Sequence, residues 1–271
     1  MYSKYHGCGN DFIVGMYENN IDYSQFSQKI CNRNTGIGAD GLLVARVHEN
    51  KEIEMLFYNA DGSRAPMCGN GIRCFAYFCL REKLIASNQF NINTLSGKMG
   101  VKILSQEPFL GEINLGKPIF DSKILDINTT KETFLNEIIM INGWTIKVDA
   151  VYMATHHLVV IVEDLKEVMK SDLGEKLSKH KLFTKGMNVN FVQIINNKEI
   201  IMRTFERGVG WTLACGTGAS ACFVILNQKG LCEDKIEARL ELGTLRISYN
   251  EKKEVLMEGP ATCVAHRIQI D

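Results

Sequence analysis

The chain has 271 residues, of which 45% are hydrophobic and 23% charged, a balance that indicates a globular protein and excludes a disordered or fibrous one. Its 31 lysines and arginines equal its 31 aspartates and glutamates, so it lacks the basic surplus of a nucleic-acid-binding protein. The longest clean apolar run, residues 158–162, is far shorter than a membrane helix, and no signal region opens the chain, so we predict a cytoplasmic protein with neither nucleic-acid nor membrane partners.

Few helices and many strands are predicted from the hydrophobic periodicity. The sequence predicts helices at 23–33, 72–83, 165–180 and 218–229. Alternation at Ile53, Met55 and Phe57 predicts one strand, and further strands are expected at 157–162 and 200–204. Asn142-Gly143 between two apolar runs predicts a two-residue β-hairpin. The pattern indicates an α+β fold.

Two of these helices are preceded by the same kind of loop, a cysteine followed by glycine, a polar residue and glycine: Cys68-Gly69-Asn70-Gly71 and Cys215-Gly216-Thr217-Gly218. A strand with a glycine near its start follows at Gly97, 29 residues after Cys68, and at Gly243, 28 residues after Cys215. Leu115-Gly116-Lys117-Pro118 and Met257-Glu258-Gly259-Pro260 then close the two stretches. These four landmarks (loop, helix, strand and closing segment) in one order predict two similar α+β halves. We place these halves at residues 1–118 and 119–261 and expect the segment 262–271 to return to the first half.

Most of the nine cysteines are expected to be reduced thiols, because their number is odd and the chain carries no secretion signal. Zinc sites favour cysteines two to four residues apart, and no pair here is that close. His156 and His157 lack a neighbouring cysteine or carboxylate at ligand spacing. We therefore expect no metal site.

Each cysteine loop places a thiol directly before a helix N-terminus. The exposed backbone N–H groups and the positive end of the helix dipole suit a carboxylate, and the same field favours thiolate over thiol. If two such halves face one ligand, one sulfur can remove a proton from carbon while the other returns a proton to the opposite face. This arrangement predicts racemisation or epimerisation beside a carboxylate, with no cofactor required. The alternative interpretation is two buried cysteines beside turns that merely cap helices.

Further polar residues occur at matched positions. Asn59 and Glu206 each lie nine residues before their cysteine. Glu206 offers an acceptor suited to an ammonium group, and Arg207 offers a fork of donors suited to a second carboxylate. A surface ion pair is the alternative interpretation of Glu206 and Arg207. Asn10 lies in a glycine-containing stretch, residues 7–11, that is also compatible with a plain turn.

Three segments together resemble the diaminopimelate epimerase family over nearly the whole chain: residues 4–12, residues 59–63 leading to 68–74, and residues 206–208 leading to 214–219. The resemblance implies a fold of two pseudo-symmetric halves, each a mixed sheet around a central helix, with the active site in the cleft between them. It implies a cytoplasmic homodimer, independent of pyridoxal phosphate and metal. The implied reaction converts LL-diaminopimelate to the meso form for lysine and peptidoglycan synthesis.

By position, the resemblance makes Cys68 and Cys215 the acid/base pair. It places five residues around the reacting amino-acid end: Asn10, Gly69, Asn70, Gly216 and Thr217. It places another set at the distal end of the substrate: Asn59, Thr155, Asn188, Glu206 and Arg207.

Three positions depart from the family pattern. Thr155 stands where the family has an asparagine that contacts the distal carboxylate, Trp211 replaces a polar residue, and Cys8 replaces leucine or alanine. A hydroxyl lacks the two donors of an amide, and a buried carboxylate short of one bond costs about 1–3 kcal/mol. A racemase of histidine or another single-headed amino acid, or an epimerase of lanthionine, is therefore the alternative. An isomerase of the same fold with incidental thiols and a non-enzymatic amino-acid-binding module are weaker alternatives.

Overall fold

The computed structural model of the chain describes residues 1–270. These residues form two compact units, one comprising residues 1–114 and the segment from 258 onward, the other residues 115–257. Asp271, the last residue of the segment expected to return to the first half, lies outside the described residues. Within residues 1–270, no helix combines the length and apolar character that crossing a membrane requires.

The first unit consists of eight strands and two helices before the chain enters the second unit: β1 (Tyr2–Gly7), β2 (Asn10–Met16), α1 (Tyr23–Ile30), β3 (Gly41–Val47), β4 (Ile53–Asn59), β5 (Arg64–Ala65), α2 (Gly69–Arg81), β6 (Gln89–Thr94), β7 (Gly97–Gln106) and β8 (Phe109–Asn114).

The second unit contains nearly the same series: β9 (Glu137–Ile141), β10 (Trp144–Tyr152), β11 (His156–Ile161), α3 (Leu165–Met169), α4 (Leu173–Ser178), β12 (Asn188–Asn196), β13 (Glu199–Glu206), β14 (Gly210–Thr212), α5 (Gly216–Gln228), β15 (Lys235–Arg239) and β16 (Thr244–Tyr249). Strand β17 (Val255–Pro260) ends it, and the chain re-enters the first unit within this strand. The last strand, β18 (Thr262–Ile268), pairs antiparallel with β1.

Strand pairing shows that the two units share one topology. In the first unit β1–β2 is antiparallel, β2–β3 parallel, β3–β4 antiparallel and β4–β6 parallel. In the second unit β10–β11, β11–β12, β12–β13 and β13–β15 repeat this alternation in the same order. The duplicated cysteine loops of the sequence therefore occupy equivalent positions, each directly before the long helix of its unit.

Each long helix lies at the centre of its unit. All side chains of α5 from Gly216 to Leu226 are buried, and α2 is buried over most of its length. A helix that is apolar on every side must be enclosed by other elements. Strands β1, β2 and β8 contact α2, while β10, β11, β12 and β16 contact α5. The sheets thus fix the N-termini of both helices.

The expected hairpin at Asn142-Gly143 is confirmed. Strands β9 and β10 pair antiparallel on either side of it. Both turn residues have positive φ, 53° for Asn142 and 80° for Gly143, as a type I′ turn requires. The strands expected around Ile53, at 157–162 and at 200–204 are also present.

The single helix expected over 165–180 is wrong, because the structure contains two short helices, α3 and α4, in that region. The break lies at Ser171. The Ser171 hydroxyl donates to Val168 O at 2.7 Å and accepts from Leu173 N at 3.3 Å. Such local side-chain bonds compete with the helical backbone pattern, which hydrophobic periodicity alone does not register. The other helix predictions are confirmed with shifted ends.

Candidate active site

Cys68 is the N-cap of α2. Its backbone is extended, with φ −137° and ψ 122°, and its Sγ accepts from the Gly71 N–H at 3.5 Å. The thiol is half-buried. The sulfur thus lies against the first-turn N–H groups, where a helix stabilises negative charge.

Cys215 is the N-cap of α5 in almost the same geometry. Its φ is −134° and its ψ 105°, and its Sγ accepts from the Gly218 N–H at 3.3 Å. The Thr217 hydroxyl lies 3.6 Å from the sulfur. Cys215 and Thr217 are both almost fully buried. Each unit therefore presents one cysteine as a helix cap, bonded to the N–H three residues later.

Asn10 and Asn70 are joined beside the Cys68 loop. Asn10 begins β2, directly after the tight turn formed by Cys8 and Gly9, whose φ angles are 53° and 97°. The Asn70 amide nitrogen donates to the side-chain oxygen of Asn10 at 2.9 Å. Asn10 in turn donates to Asp40 at 3.1 Å. Two predicted site residues are thus locked together by side-chain hydrogen bonds.

Asn59 is the last residue of β4, at the end of the sheet where β2 begins with Asn10. Gly41, at the start of β3, pairs with both Phe12 and Asn59, which places the ends of β2, β3 and β4 side by side. The Asn59 amide donates to Ser63 Oγ at 2.9 Å, and its backbone N–H donates to Ser63 O at 2.9 Å. Asn59 is therefore held inside a turn rather than projecting freely.

The predicted distal residues of the second unit also converge. His157 and Asn188 pair across the parallel strands β11 and β12, so Thr155 and Asn188 lie at one end of the sheet. The Arg207 backbone N–H donates to Asn188 Oδ1 at 2.9 Å. Glu206, at the end of β13, accepts from the Thr212 hydroxyl at 3.0 Å. Residues from three separate stretches of the chain, at positions 155, 188 and 206–207, are therefore neighbours here.

The Arg207 guanidinium is held by backbone oxygens. Its Nη1 donates to Lys185 O at 2.9 Å and to Gly186 O at 3.4 Å. These bonds use one nitrogen of the planar fork. The edge formed by Nη2 and Nε has the geometry that carboxylates prefer in a two-point contact.

A buried polar cluster behind Cys215 was missed by the sequence reasoning. Asn190 is fully buried, and its amide nitrogen donates to Leu158 O at 3.0 Å and lies 3.1 Å from His157 Nδ1. The Thr204 hydroxyl donates to Asn190 Oδ1 at 3.0 Å. Burial lowers the pKa of His157 to about 3, so this imidazole is neutral. The available signal was Asn190 itself, a polar residue among the apolar residues of β12.

The remaining buried thiols have a different environment. Cys74, Cys79 and Cys222 lie inside α2 and α5, and burial raises the pKa of each thiol well above its ordinary value. Burial also raises the pKa of Cys8, opposed by the nearby Arg73 guanidinium. These cysteines behave as small apolar core residues. Among residues 1–270, no three histidine, cysteine or acidic side chains are grouped to hold a metal ion.

The chain matches the family model described as diaminopimelate epimerase over residues 2–120 and 149–264. The chain belongs to the diaminopimelate epimerase family. Relatives named diaminopimelate epimerase include one from Alkaliphilus metalliredigens, 36% identical over 100% of this chain and 97% of the relative. Another, from Halothermothrix orenii, is 38% identical over 97% of this chain and 95% of the relative. The chain is accordingly an epimerase, an isomerase.

Solved structures confirm the expected fold class. A probable proline racemase from Agrobacterium radiobacter superposes with a TM-score of 0.73 at 12% identity, covering 100% of this chain and 93% of that one. A phenazine biosynthesis protein of the PhzF family from Bacillus anthracis gives 0.71 at 13%, covering 99% and 98%. At such identity the likeness concerns the fold alone. The chain has the mixed α/β, sheet-rich fold expected of diaminopimelate epimerases.

Proposed function

We propose that this epimerase inverts the α-carbon of LL-diaminopimelate to give the meso form, with Cys68 and Cys215 as the acid/base pair. One cysteine, as thiolate, takes the α-hydrogen as a proton, so that a C–H bond breaks and an S–H bond forms. The other, as thiol, returns a proton to the opposite face of the carbon. The proposal requires both sulfurs to reach one α-carbon.

The matched capping geometry is the observation that carries this proposal. Each sulfur accepts a hydrogen bond from the backbone N–H three residues later, at 3.5 Å for Cys68 and 3.3 Å for Cys215. The same N-termini offer donors to the α-carboxylate of a bound amino acid. The charge that develops when the α-proton leaves spreads onto that carboxylate, where these donors stabilise it. Asn10, Asn70, Gly69, Gly216 and Thr217 belong to these two loops or adjoin them.

The distal set favours a substrate with a second amino-acid end. Because Asn188 Oδ1 accepts from Arg207 N, the Asn188 amide is oriented with its donors on the other side. Arg207 and Asn188 then supply donors for a carboxylate, and Glu206 supplies an acceptor for an ammonium group. Asn59, in the first unit, and Thr155 complete the proposed set.

A racemase or epimerase of another amino acid, such as histidine or lanthionine, is the second candidate. Thr155, which has one hydroxyl in place of an amide, favours it. Trp211 supports it less than the sequence indicated, because its indole packs 5.6 Å from the rings of both Phe191 and Phe205. That packing assigns Trp211 to the hydrophobic core of the second unit.

We further propose a homodimer in the cytoplasm whose product enters lysine and peptidoglycan synthesis, as the family implies. Sedimentation of the purified enzyme tests the dimer. We propose that the chain divides into two halves, each of which carries one of the two cysteines. One half is residues 1–118 together with 262–271, and the other is residues 119–261.

Exchange of the α-hydrogen in deuterium oxide tests the reaction. The reduced enzyme is offered LL-diaminopimelate, lanthionine and each L-amino acid separately, and the products are resolved by chiral chromatography. Exchange with inversion of diaminopimelate alone supports the proposal. Inversion of histidine or lanthionine, with diaminopimelate inert, would support the second candidate and keep the two-thiol chemistry.

A further inference from the structure

Arg73 is a fully buried cation in the first unit, on α2, five residues after Cys68. A buried guanidinium is tolerated only when its N–H groups find acceptors. Its Nη1 donates to Gly69 O at 2.9 Å, its Nη2 to Asn70 Oδ1 at 2.9 Å, and its Nε to Pro260 O at 3.2 Å. The cation therefore holds both the first turn of α2 and the side chain of Asn70.

The guanidinium also decides which way the Asn70 amide faces. Arginine carries donors and no acceptor, so the Asn70 atom that faces Arg73 must be the oxygen. The Asn70 nitrogen is then turned to the opposite side, where it donates to Asn10 Oδ1. Because an amide is polar at both ends, fixing one end fixes the other.

Asp40 fixes the far end of the same series. The Asn10 nitrogen donates to Asp40 Oδ2 at 3.1 Å, and an ionised carboxylate only accepts. Arg33, at 2.8 Å, and the Asp11 backbone N–H, at 3.1 Å, hold Asp40 in place. The amides of Asn70 and Asn10 therefore form a hydrogen-bonded series. At one end is a guanidinium that can only donate, and at the other is the Asp40 carboxylate, which can only accept. Flipping either amide would place two donors or two acceptors together.

We propose that Arg73 is a positioning residue, which sets the polarity of the Asn70 and Asn10 amides beside the Cys68 loop. With this polarity the Asn10 oxygen accepts from Asn70 and one Asn10 N–H donates to Asp40. The second side-chain N–H of Asn10 is then directed to a ligand acceptor. The amides thereby favour an anionic group such as a carboxylate. The functional part of this inference rests on the proposed function, in which Asn10 and Asn70 adjoin the substrate; the amide polarity itself does not.

Removal and chemical replacement of the guanidinium test the inference. Arg73→Ala is assayed alone, with tens of millimolar guanidinium chloride, and with the same concentration of urea, a neutral planar molecule of similar size. Arg81→Ala, at the exposed end of the same helix, is the matched control. The first readout is the side-chain NH2 resonances of Asn10 and Asn70 in protein labelled with ¹⁵N-asparagine, assigned with Asn10→Ser and Asn70→Ser.

We expect Arg73→Ala to shift both NH2 resonance pairs, and guanidinium but not urea to restore them. In the α-hydrogen exchange assay we expect KM to rise about tenfold, with a smaller change in kcat and recovery in guanidinium. Arg81→Ala should leave both readouts unchanged. A purely structural role would instead lower kcat through a smaller folded fraction and leave KM unchanged.

Three results would overturn the inference: unshifted NH2 resonances in Arg73→Ala, shifted resonances with unchanged KM, or equal rescue by urea. If Arg73→Ala does not fold, Arg73→Lys keeps the charge but loses the fork, and the same resonance shifts and KM increase are required of it. If the wild-type enzyme exchanges no α-hydrogen, the proposed function fails, while the resonances still decide the amide polarity.

Discussion

The side-chain oxygen of Asn190 occupies the space that a Cβ atom on Gly218 would need. The same Cβ would lie 3.1 Å from both Cys215 Sγ and Thr204 Oγ1. Asn190 is held by hydrogen bonds to Leu158 O and Thr204, and moving it aside would break them. The Gly218 backbone, whose N–H donates to Cys215 Sγ, therefore packs directly against the buried side chains of Asn190 and Thr204. Only glycine fits at position 218.

Gly218→Ala should consequently displace the Cys215 loop. We expect a loss of kcat/KM of about 100-fold, because the N–H that caps the sulfur moves with the backbone. Unfolding should become easier by about 1–3 kcal/mol, the usual cost of overpacking a core. The control is Gly100→Ala, whose Cβ would meet neighbours only at 3.7 Å or more. Normal turnover by Gly218→Ala would contradict this account of the loop.

Replacing either capping cysteine tests the pair directly. Cys68→Ala and Cys215→Ala should each abolish inversion, because one of the two proton transfers then lacks its group. Cys222→Ala is the matched control, since it removes a thiol from the interior of α5, and it should keep turnover at somewhat reduced stability. Chiral chromatography after long incubation provides the measurement. Inversion at a normal rate in either capping variant would exclude the two-thiol reaction.

Alkylation should distinguish the half-buried capping thiol from the structural thiols. At pH 7 iodoacetamide should modify Cys68 well before Cys74, Cys79 or Cys222, because burial raises the pKa of those three thiols and shields them. Peptide mass spectrometry follows each site, and LL-diaminopimelate should protect Cys68. Modification of Cys79 or Cys222 at a similar rate in the folded enzyme would show that burial does not control reactivity here.

The sequence allowed prediction of the duplicated architecture because its signals are local. A few adjacent residues determine the conformation of each of these features: the loops at Cys68 and Cys215 and the turn at Asn142-Gly143. The break at Ser171 was missed since a single hydroxyl decides it. Arg73 and Asn190 were missed for another reason: their partners, Pro260 and Leu158, are distant in sequence, and only the tertiary structure brings them together.

Acidification should destabilise the protein partly through His157. Burial lowers the pKa of His157 to about 3, from an ordinary value near 6.5. Between pH 6.5 and pH 3, His157 is therefore protonated in the unfolded chain and neutral in the folded chain. The stability contribution is complete above pH 6.5 and is lost as the pH falls toward 3. The slope from this one group is at most about 1.4 kcal/mol per pH unit.

Urea unfolding of wild-type and His157→Asn protein between pH 7.5 and pH 5 measures that slope. The variant should be less stable at neutral pH, because a packed imidazole is lost, but its stability should fall less steeply with acid. Part of the slope should remain, since burial also lowers the pKa of His156 and of His180. Parallel slopes in both proteins would show that His157 is protonated in the folded state as readily as in the unfolded state.

The substrate preference should respond to residue 155. Thr155 lies at the end of the sheet where Asn188 and Arg207 meet, and an asparagine there would supply an amide donor to a distal carboxylate. We expect Thr155→Asn to lower KM for LL-diaminopimelate by about tenfold, the effect of one added bond to a charged group. Thr155→Val keeps the shape without the hydroxyl and should raise KM. If neither variant changes KM for diaminopimelate while both change it for histidine or lanthionine, residue 155 contacts a different side chain and the second candidate function is favoured.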